Sequence, residues 1–358
     1  MILSKYPYVV QKEILDNMNC SQLLMLSFVS KNMKKLIKSS QKNKFENINV
    51  IDYNCRTMSD LRNVHIPFNG KYEPVMYFSN NEPNRNGTFQ LEVSGKMIDF
   101  QIHQRHNVLE ICGYDRDKES VTESIHNYFL EFFGSSTKFN WIVMDIKEGL
   151  NHSFPNLRNV SLCVDLTCKK KLVEIEKLET FFSSSPVFNY IGLELKPSPQ
   201  PCSPQSKFYQ AESILVKHTS PNILRHFEGK QAYIQCDKWE TSEDLIKLLN
   251  MWKSGKALQM LERLTVDILH GKVLKNEIFN KIGAKYIDAT KQPPVHTLPQ
   301  AYIEGYFFGP PNTIPITSHT YVVRQSDNRV ASIHIAYNKM ITFGVWDKTE
   351  EEFLKLVD

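Results

Sequence analysis

Apolar side chains recur at helical spacing in the first forty residues of the chain. Val10, Ile14 and Met18 follow one another at intervals of four, and Leu15 widens the stripe. This spacing places apolar side chains on one face of an α-helix. Pro7 stands just before them, and proline suits the first turn of a helix, where its missing N–H would have no partner. The pattern therefore predicts a first helix with one apolar face.

Two more short helices are predicted after the first. Asn19 or Ser21 can cap the second helix, and Ser30 can cap the third. Three helices in about 35 residues are too few to enclose a core of their own. A second protein must therefore cover their apolar side chains, or the rest of the chain must do so, as for a plain helical hairpin packed on the body. These side chains are Leu23, Leu26 and Val29 in the second helix and Met33, Leu36 and Ile37 in the third.

Apolar and polar residues alternate from about residue 45 to residue 112. The segments EPVMYFS, TFQLEVS and MIDFQIH have this period of two, which is typical of strands with one buried face. Ser94-Gly95 lies between the last two segments and predicts a hairpin turn. A helix is predicted from about Asp117 to Phe133, with Gly134 as its end. Residues 45–135 are therefore predicted to form a small antiparallel sheet plus a helix.

A loose repeat of apolar residues follows from residue 136. Four segments share the order apolar, two others, apolar, one other, apolar, and AYIQC is a weaker fifth. Amphipathic helical patterns lie between several of them, at residues 172–182, 208–215 and 241–255. Short strands that alternate with helices are typical of a parallel sheet in stacked β–α units, as in leucine-rich-repeat proteins. The four segments begin at Phe139, Leu157, Phe188 and Leu261.

The end of the chain returns to an antiparallel pattern. Alternating segments surround a tight turn at residues 326–328, and a closing helix is predicted from Lys348 to Leu356 after a cap at Asp347. The predicted fold class is mixed α/β: three N-terminal helices, then irregular leucine-rich-repeat-like β–α units flanked by antiparallel strands. Polar or proline-rich loops are predicted at residues 80–87, 196–206 and 291–300.

The N-terminal residues resemble an F-box. That family has an opening leucine and proline, an apolar pair near the end of the first helix and a Val-Ser-basic step before the last helix. The matching positions are Leu3, Pro7, Val10, Ile14-Leu15, Met18, Leu23, Leu26, Val29-Ser30-Lys31 and Leu36-Ile37. The resemblance implies that residues 1–44 bind a Skp-type adaptor and, through it, the cullin and RING subunits of an SCF ubiquitin ligase. The adaptor-binding residues that it implies are Pro7, Val10, Ile14, Leu15, Met18, Leu23, Leu26, Val29 and Leu36.

A second resemblance covers residues nearer the C-terminus. Thr241–Ile268 is similar to the F-box-associated domain of the second type, which is found in nematode F-box proteins. That family has a Thr/Ser-x-x-Asp-Leu helix start, a later Leu-x-x-Trp and then a Leu-x-x-Leu strand. Residues of its terminal hairpin match at Gly305, Arg324, Asp327, Ala331, Ile333 and Phe343–Trp346. The resemblance implies an F-box-associated domain over residues 136–358, ending in a β-hairpin region and a C-terminal helix.

Net charge and cysteine content limit the classes of function and the cellular compartments that fit this chain. A formal net charge of +4 over 358 residues is too small to indicate a nucleic-acid protein. The lysines between Lys31 and Lys44 have no arginine or stacking aromatic among them, so a solvated helix face is favoured over a nucleic-acid patch. Seven scattered cysteines without a signal peptide favour reduced thiols in the cytoplasm or nucleus. No apolar run approaches the roughly 20 residues that span a bilayer, so we expect no membrane partner.

Catalytic and metal-binding patterns are weak. Cys163 and Cys168 have no second pair of ligands at zinc-like spacing, and they are interpreted as packing thiols. His103 and His106 fall on a predicted strand and loop, which favours ordinary surface histidines. Glycine-rich phosphate loops and nucleophile motifs are not found. We therefore expect no enzyme activity, no cofactor and no metal.

The leading hypothesis is a substrate receptor of a ubiquitin ligase that binds a Skp-type adaptor and an unidentified target protein. The alternative is a repeat-like protein-binding scaffold without a ubiquitin-ligase role. An enzyme or a nucleic-acid protein would need a pocket of convergent titratable groups or a basic stripe. The concave face of the repeat sheet and the three loops at residues 80–87, 196–206 and 291–300 remain rival target-binding surfaces.

Overall fold

The N-terminal segment folds into the short helices that its periodicity predicts. The helices of this segment are α1 (Tyr8–Asp16), α2 (Cys20–Ser27), α3 (Lys31–Ser40) and the unpredicted α4 (Lys42–Glu46). Asn19 caps α2 by accepting a hydrogen bond from the backbone N–H of Gln22, whose side chain accepts one from the Asn19 N–H in return. The Ser30 hydroxyl caps α3 in the same way by accepting from Met33 N–H. Local capping therefore sets where these helices begin.

The computed structural model describes residues 5–48, 50–56, 60–68, 71–82, 87–144, 156–167, 175–194, 202–237, 241–298 and 314–357. The chain divides into two compact units, Met1–Leu162 and Cys163–Asp358. This division differs from the predicted domains 1–44, 45–135 and 136–358.

The first unit contains a mixed sheet and a long helix. Its strands are β1 (Val50–Cys55), β2 (Leu61–Phe68), β3 (Lys71–Phe78), β4 (Phe89–Val93), β5 (Lys96–Ile102) and β6 (Leu109–Ile111), followed by α5 (Lys118–Phe133) and β7 (Lys138–Val143). Their order in the sheet is β7-β1-β2-β3-β6-β5-β4. The predicted antiparallel pairing is present in β1–β2, β2–β3, β4–β5 and β5–β6, whereas β3 pairs with β6 and β1 pairs with β7 in parallel. A helical crossover such as α5 permits a parallel neighbour, which a tight turn does not.

Aromatic side chains join the N-terminal helices to the rest of this unit. The ring of Phe28 stacks on Tyr128 of α5, with 4.3 Å between centroids. Phe45 of α4 lies 5.0 Å from the ring of Phe132 and 5.4 Å from that of Phe133. The predicted boundary at residue 44 therefore passes through a shared core. Residues beyond the boundary at 135 also belong to the unit, since β7 pairs along the whole of β1.

Parallel strands in chain order open the second unit. These strands are β8 (Val160–Asp165), β9 (Tyr190–Glu194), β10 (Ser213–Lys217), β11 (Gln231–Cys236) and β12 (Arg263–Ile268), and β9 to β12 each pair in parallel with the preceding strand. Helix α6 (Ile175–Ser184) precedes β9 and α7 (Thr241–Lys253) precedes β12, while short 3-10 helices precede β10 and β11. The arrangement agrees with the predicted β–α units. That these units are leucine-rich repeats stays a prediction.

One predicted helix of the second unit is wrong. Residues 208–215 form a 3-10 helix over Lys207–Gln210 and then enter strand β10. Ile214 and Val216 are fully buried, and β10 has a hydrogen-bonded strand on each side. A short apolar run enclosed in this way favours a strand, because branched side chains suit a buried sheet.

Antiparallel strands complete the second unit. The remaining elements are α8 (Lys275–Ile282), β13 (Lys285–Tyr286), β14 (Val295–His296), β15 (Ile316–Thr317), β16 (Thr320–Val323), β17 (Arg329–Ala336), β18 (Met340–Thr349) and α9 (Glu350–Leu354). The predicted turn between β16 and β17 is confirmed, with Asn328 in the left-handed region at φ 57°. The closing helix is shorter than predicted. Its cap is Thr349 in place of Asp347, because the Thr349 hydroxyl accepts from Glu352 N–H in a capping box.

Arg324 and Asp327, two residues of the second resemblance, form an ion pair at the β16–β17 turn. Arg324 is only 3% exposed, and two of its N–H groups donate to the Asp327 carboxylate at 2.9 and 2.6 Å. A third donates to the carbonyl of Gln259 at 3.0 Å, and the guanidinium lies over the ring of Trp252. The buried Arg324 thus holds the exposed Asp327 and anchors the β16–β17 turn.

Candidate functional site

Apolar side chains at the start of the chain are exposed to solvent. Val9 is 76% exposed and Val29 is 72% exposed. Large apolar groups with this much contact with water are a common sign of a protein interaction surface when they are grouped. Among the described residues of the N-terminal helices, the exposed large apolar ones are Tyr6, Tyr8, Val9, Val10 and Val29.

The orientation of α1 follows from one buried leucine and two polar anchors. Leu15 has no exposed surface and holds the inner face of the helix in the core. The side chain of Gln41 donates to Asp16 at 2.6 Å, and Lys44 Nζ donates to the carbonyl of Met18 at 2.5 Å. These contacts hold the C-terminal end of α1 against the third and fourth helices. The residues at its N-terminal end, Tyr8 to Val10, consequently face solvent.

Helix α5 covers part of the remaining apolar surface of α2 and α3. Ser27 and Tyr128 share a hydrogen bond of 2.8 Å between their hydroxyls. Lys34 Nζ lies 3.7 Å from the centroid of the Tyr128 ring and 2.7 Å from the carboxylate of Glu131. Burial lowers the pKa of Lys34, while its bond to Glu131 acts in the opposite direction. Contacts within the unit thus occupy this lysine, which weakens the case for a nucleic-acid patch here.

Most of the implied adaptor-binding residues keep some surface. The exposed ones are Pro7, Val10 and Val29. The half-buried ones are Ile14, Met18, Leu26 and Leu36. Adaptor binding by these seven residues stays a prediction.

The expectation that Leu15 and Leu23 contact the adaptor needs a correction. Both have 0% exposure, so neither can contact a second protein while the unit stays folded. Helical spacing selected them because it marks the apolar stripe, and the centre of that stripe faces the domain's own core. The same rule missed Tyr6, Tyr8 and Val9. Consecutive apolar residues at positions 8–10 were the available sign, because adjacent helical residues cannot all face inward.

The residues with possible catalytic or metal chemistry are packed or dispersed. His103 and His106 stack on Tyr77, with 4.2 and 5.3 Å between ring centroids, beside a surface cavity of about 510 Å³. Among the described residues, no group of three or more potential ligands is placed to hold a metal ion. Cys163 is buried, and Cys168 lies outside the described residues. Burial raises the pKa of another thiol, Cys20, to about 12, which keeps it protonated and unreactive.

The predicted target-binding surfaces are described only in part. Residues 83–86, 196–201 and 299–300 of the three loops lie outside the described residues. One face of the parallel sheet carries polar side chains: Tyr233 donates to Asp267 at 3.1 Å and Gln235 donates to the same carboxylate at 3.2 Å. No helix in the described part of the chain has the length and apolar character needed to cross a membrane.

Comparison with protein families identifies the N-terminal helices. Residues 7–45 match the model of the F-box domain, which confirms the predicted F-box over α1 to α3. The match runs from Pro7 into α4. Comparisons with curated proteins and with solved structures found no match.

Proposed function

We propose, from the premise that residues 7–45 form an F-box domain, that this chain is the substrate receptor of an SCF-type ubiquitin ligase. F-box domains bind a Skp-type adaptor, which links them to the cullin and RING subunits. The body beyond the F-box binds a target protein. The observation that carries the proposal is the set of exposed apolar residues on this domain, Tyr6, Tyr8, Val9, Val10 and Val29.

The energetics favour a protein partner for these residues. Fully burying one valine side chain contributes roughly 1.5–3 kcal/mol. A few apolar anchors usually carry most of the binding energy of an interface. Val9 and Val29 keep more than two thirds of their surface in water, so an adaptor that covered both would gain most of that contribution.

The receptor makes and breaks no bonds in this proposal. F-box proteins are typically non-catalytic. They act by proximity, because a target held beside the ubiquitin-conjugating enzyme presents its lysine at a high effective concentration. The cytoplasm or nucleus is the proposed location, since buried reduced thiols suit those compartments.

We also infer that residues 136–358 include an F-box-associated domain of the second type, as in nematode F-box proteins. Helix α7 and strand β12 fall on the residues that carry this resemblance, and the β16–β17 turn falls on its second segment. These positions support the inference. Leucine-rich-repeat-like stacking of β8 to β12 is part of the same proposal.

Co-expression with a Skp-type adaptor, followed by size-exclusion chromatography, tests adaptor binding. We expect the wild-type chain to elute with the adaptor in one peak. The double variant Val9→Asp, Val29→Asp should elute separately, because two charges would then be buried in the interface. Both side chains lie in solvent, so the circular dichroism spectrum should stay unchanged.

The matched control is Val187→Asp, an exposed valine of the second unit, which should co-elute like the wild type. Co-elution of the double variant would contradict the proposed interface. A wild-type chain that folds alone and never co-elutes with an adaptor would favour the alternative, a protein-binding scaffold without a ligase role.

A further inference from the structure

A buried arginine of the second unit has no acidic partner among the residues that the structure describes. Arg263 begins β12, between β11 and β18, and is 3% exposed. Its Nη1 donates to the carbonyl of Ile314 at 2.7 Å. Its Nε is buried and has no hydrogen-bond partner among the described residues. Buried donors in folded proteins are nearly always paired, so this one calls for an explanation.

The charge of Arg263 has no counter-ion within the described part of the chain. Burial lowers the pKa of Arg263 to about 10. The guanidinium still carries its proton at neutral pH. A buried cation without a counter-ion is costly, and an anion that reached it would remove that cost.

A small cavity gives access to this guanidinium. Its volume is about 260 Å³. Its polar lining comes from Arg263 together with Thr265, Thr317, His334 and Thr342. Thr265 and Thr342 are themselves buried. The Thr342 hydroxyl already donates to the carbonyl of His334 at 3.5 Å, whereas the Thr265 hydroxyl can donate to an oxygen ligand. The cavity lies below the range of roughly 300–1,000 Å³ that drug-sized ligands occupy, so it suits a single functional group.

We propose that this cavity binds a carboxylate group, with Arg263 as its charge partner and the Thr265 hydroxyl as an additional donor. Nη1 is engaged with Ile314, which leaves Nε and Nη2 for the ligand. Those two N–H groups are parallel, and they match the two oxygens of one carboxylate. The carboxylate belongs to the end of a peptide chain, to an acidic side chain or to a small free acid.

Carboxylate fits this lining better than phosphate. Arg263 supplies one positive charge, whereas a phosphate monoester carries nearly two negative charges at neutral pH. Burial is the main cause that lowers the pKa of His334, and the charge of Lys275 adds to it, so this histidine is neutral at pH 7. One cation with neutral donors therefore balances one carboxylate.

Isothermal titration calorimetry of the full chain with alanine tetrapeptides tests the proposal. All carry an acetylated N-terminus: one ends in a free carboxylate, one in an amide, and one has an internal glutamate and an amide end. Acetate and inorganic phosphate are titrated at the same ionic strength. We expect at least one carboxylate probe to bind and the neutral peptide not to bind. The probe that binds most tightly identifies the source of the carboxylate.

Variants of the chain distinguish binding in this cavity from nonspecific electrostatic attraction. Arg263→Gln should weaken carboxylate binding at least tenfold, and Arg225→Gln, a change at an exposed arginine of the same unit, should leave it unchanged. Thr265→Val, which keeps the size of the side chain, should weaken it several-fold. This variant serves as the test if Arg263→Gln does not fold.

The proposal is overturned if no carboxylate probe binds the wild type, or if Arg263→Gln binds like the wild type. Tighter binding of phosphate than of every carboxylate probe would overturn it as well. The adaptor is absent from these titrations. Their outcome is therefore independent of whether the F-box binds its partner.

Discussion

Leu15 and Val9 lie in the same helix but in opposite environments. Leu15 has no exposed surface, and Val9 is 76% exposed. Replacing a buried leucine by alanine typically costs 2–5 kcal/mol of stability, roughly, whereas an exposed position is usually within about 0.5 kcal/mol of neutral. A change at Leu15 would thus act on folding, and a change at Val9 would act on what binds from outside.

Single buried titratable residues can also change how stability depends on pH. His126 is an example. It is 1% exposed, with Nδ1 3.0 Å from the Tyr53 hydroxyl and Nε2 2.9 Å from the carbonyl of Arg158. These contacts fit a neutral ring in which Nε2–H donates and Nδ1 accepts. Burial lowers the pKa of His126 to about 4, although the bond to the Arg158 carbonyl opposes the shift.

We expect His126 to make the first unit less stable in mild acid. Its folded pKa lies below the unfolded value of 6.5, so below that pH the unfolded chain binds a proton that the folded chain does not. Stability is therefore fully present above 6.5 and declines as the pH falls toward the folded pKa. Urea unfolding at about pH 7 and about pH 5 should show a smaller decline in His126→Gln than in the wild type.

His65 also contributes to the loss of stability in acid, in the wild type and in the variant alike. Burial, and secondarily the charge of His106, lowers its pKa to about 4, so it contributes a decline that both proteins share. Equal declines in the wild type and the variant would show that His126 is not responsible.

At the scale of elements, the distance between neighbouring backbone segments limits which residues fit between them. Gly229 is an example in the second unit. It precedes β11, where the N–H groups of Lys230 and Gln231 both donate to the carbonyl of Glu212. A Cβ at Gly229 would lie 2.1 Å from the carbonyl oxygen of Ala211 and 2.8 Å from that of Glu212. Backbone atoms cannot rotate away, so only glycine fits there.

We expect Gly229→Ala to destabilise the second unit by about 1–3 kcal/mol, because the segments before β10 and β11 would have to separate. The midpoint of urea unfolding measures this change. Glu228→Ala is the matched control, since its side chain is exposed and its backbone bond to Tyr209 is kept. A similar midpoint for both variants would show that the backbone moves without cost.

The F-box is part of a larger folding unit at the scale of the whole molecule. Its helices share a core with α5, through the contacts of Phe28 with Tyr128 and of Phe45 with Phe132. Contact between α2 and β3 adds to this core, and Glu73 accepts a hydrogen bond from the backbone N–H of Ser21 at 3.0 Å. The first unit as a whole, Met1–Leu162, is therefore the folding unit that we expect.

We expect a peptide of residues 1–48 to be largely unfolded alone, because so few residues cannot bury enough apolar surface to offset the entropy of ordering the chain. A fragment of residues 1–162 should fold. Far-UV circular dichroism of both, with thermal unfolding of the longer one, makes the comparison. A cooperative thermal transition in the short peptide would mean that the F-box folds without α5.

The sequence predicts best those elements that are set by local physics. Helices α5 and α7 have long apolar stripes that end near Gly134 and Gly255, and both were predicted close to their observed bounds. The hairpin of β4 and β5 was predicted from Ser94-Gly95, and both residues have the positive φ that such a turn requires. Strand β2 is not among the segments that were predicted, although it lies within the predicted sheet region.

Local pattern by itself determined that this chain begins with short capped helices and has parallel strands in its second half and an antiparallel end. These features depend on residues close in sequence, whose spacing and caps act over one or two turns. Tertiary structure alone decided which leucines of the F-box are buried in its core, and that Arg263 is buried with no acid beside it among the described residues. Burial and charge compensation depend on neighbours that are distant in the chain, and periodicity carries no information about them.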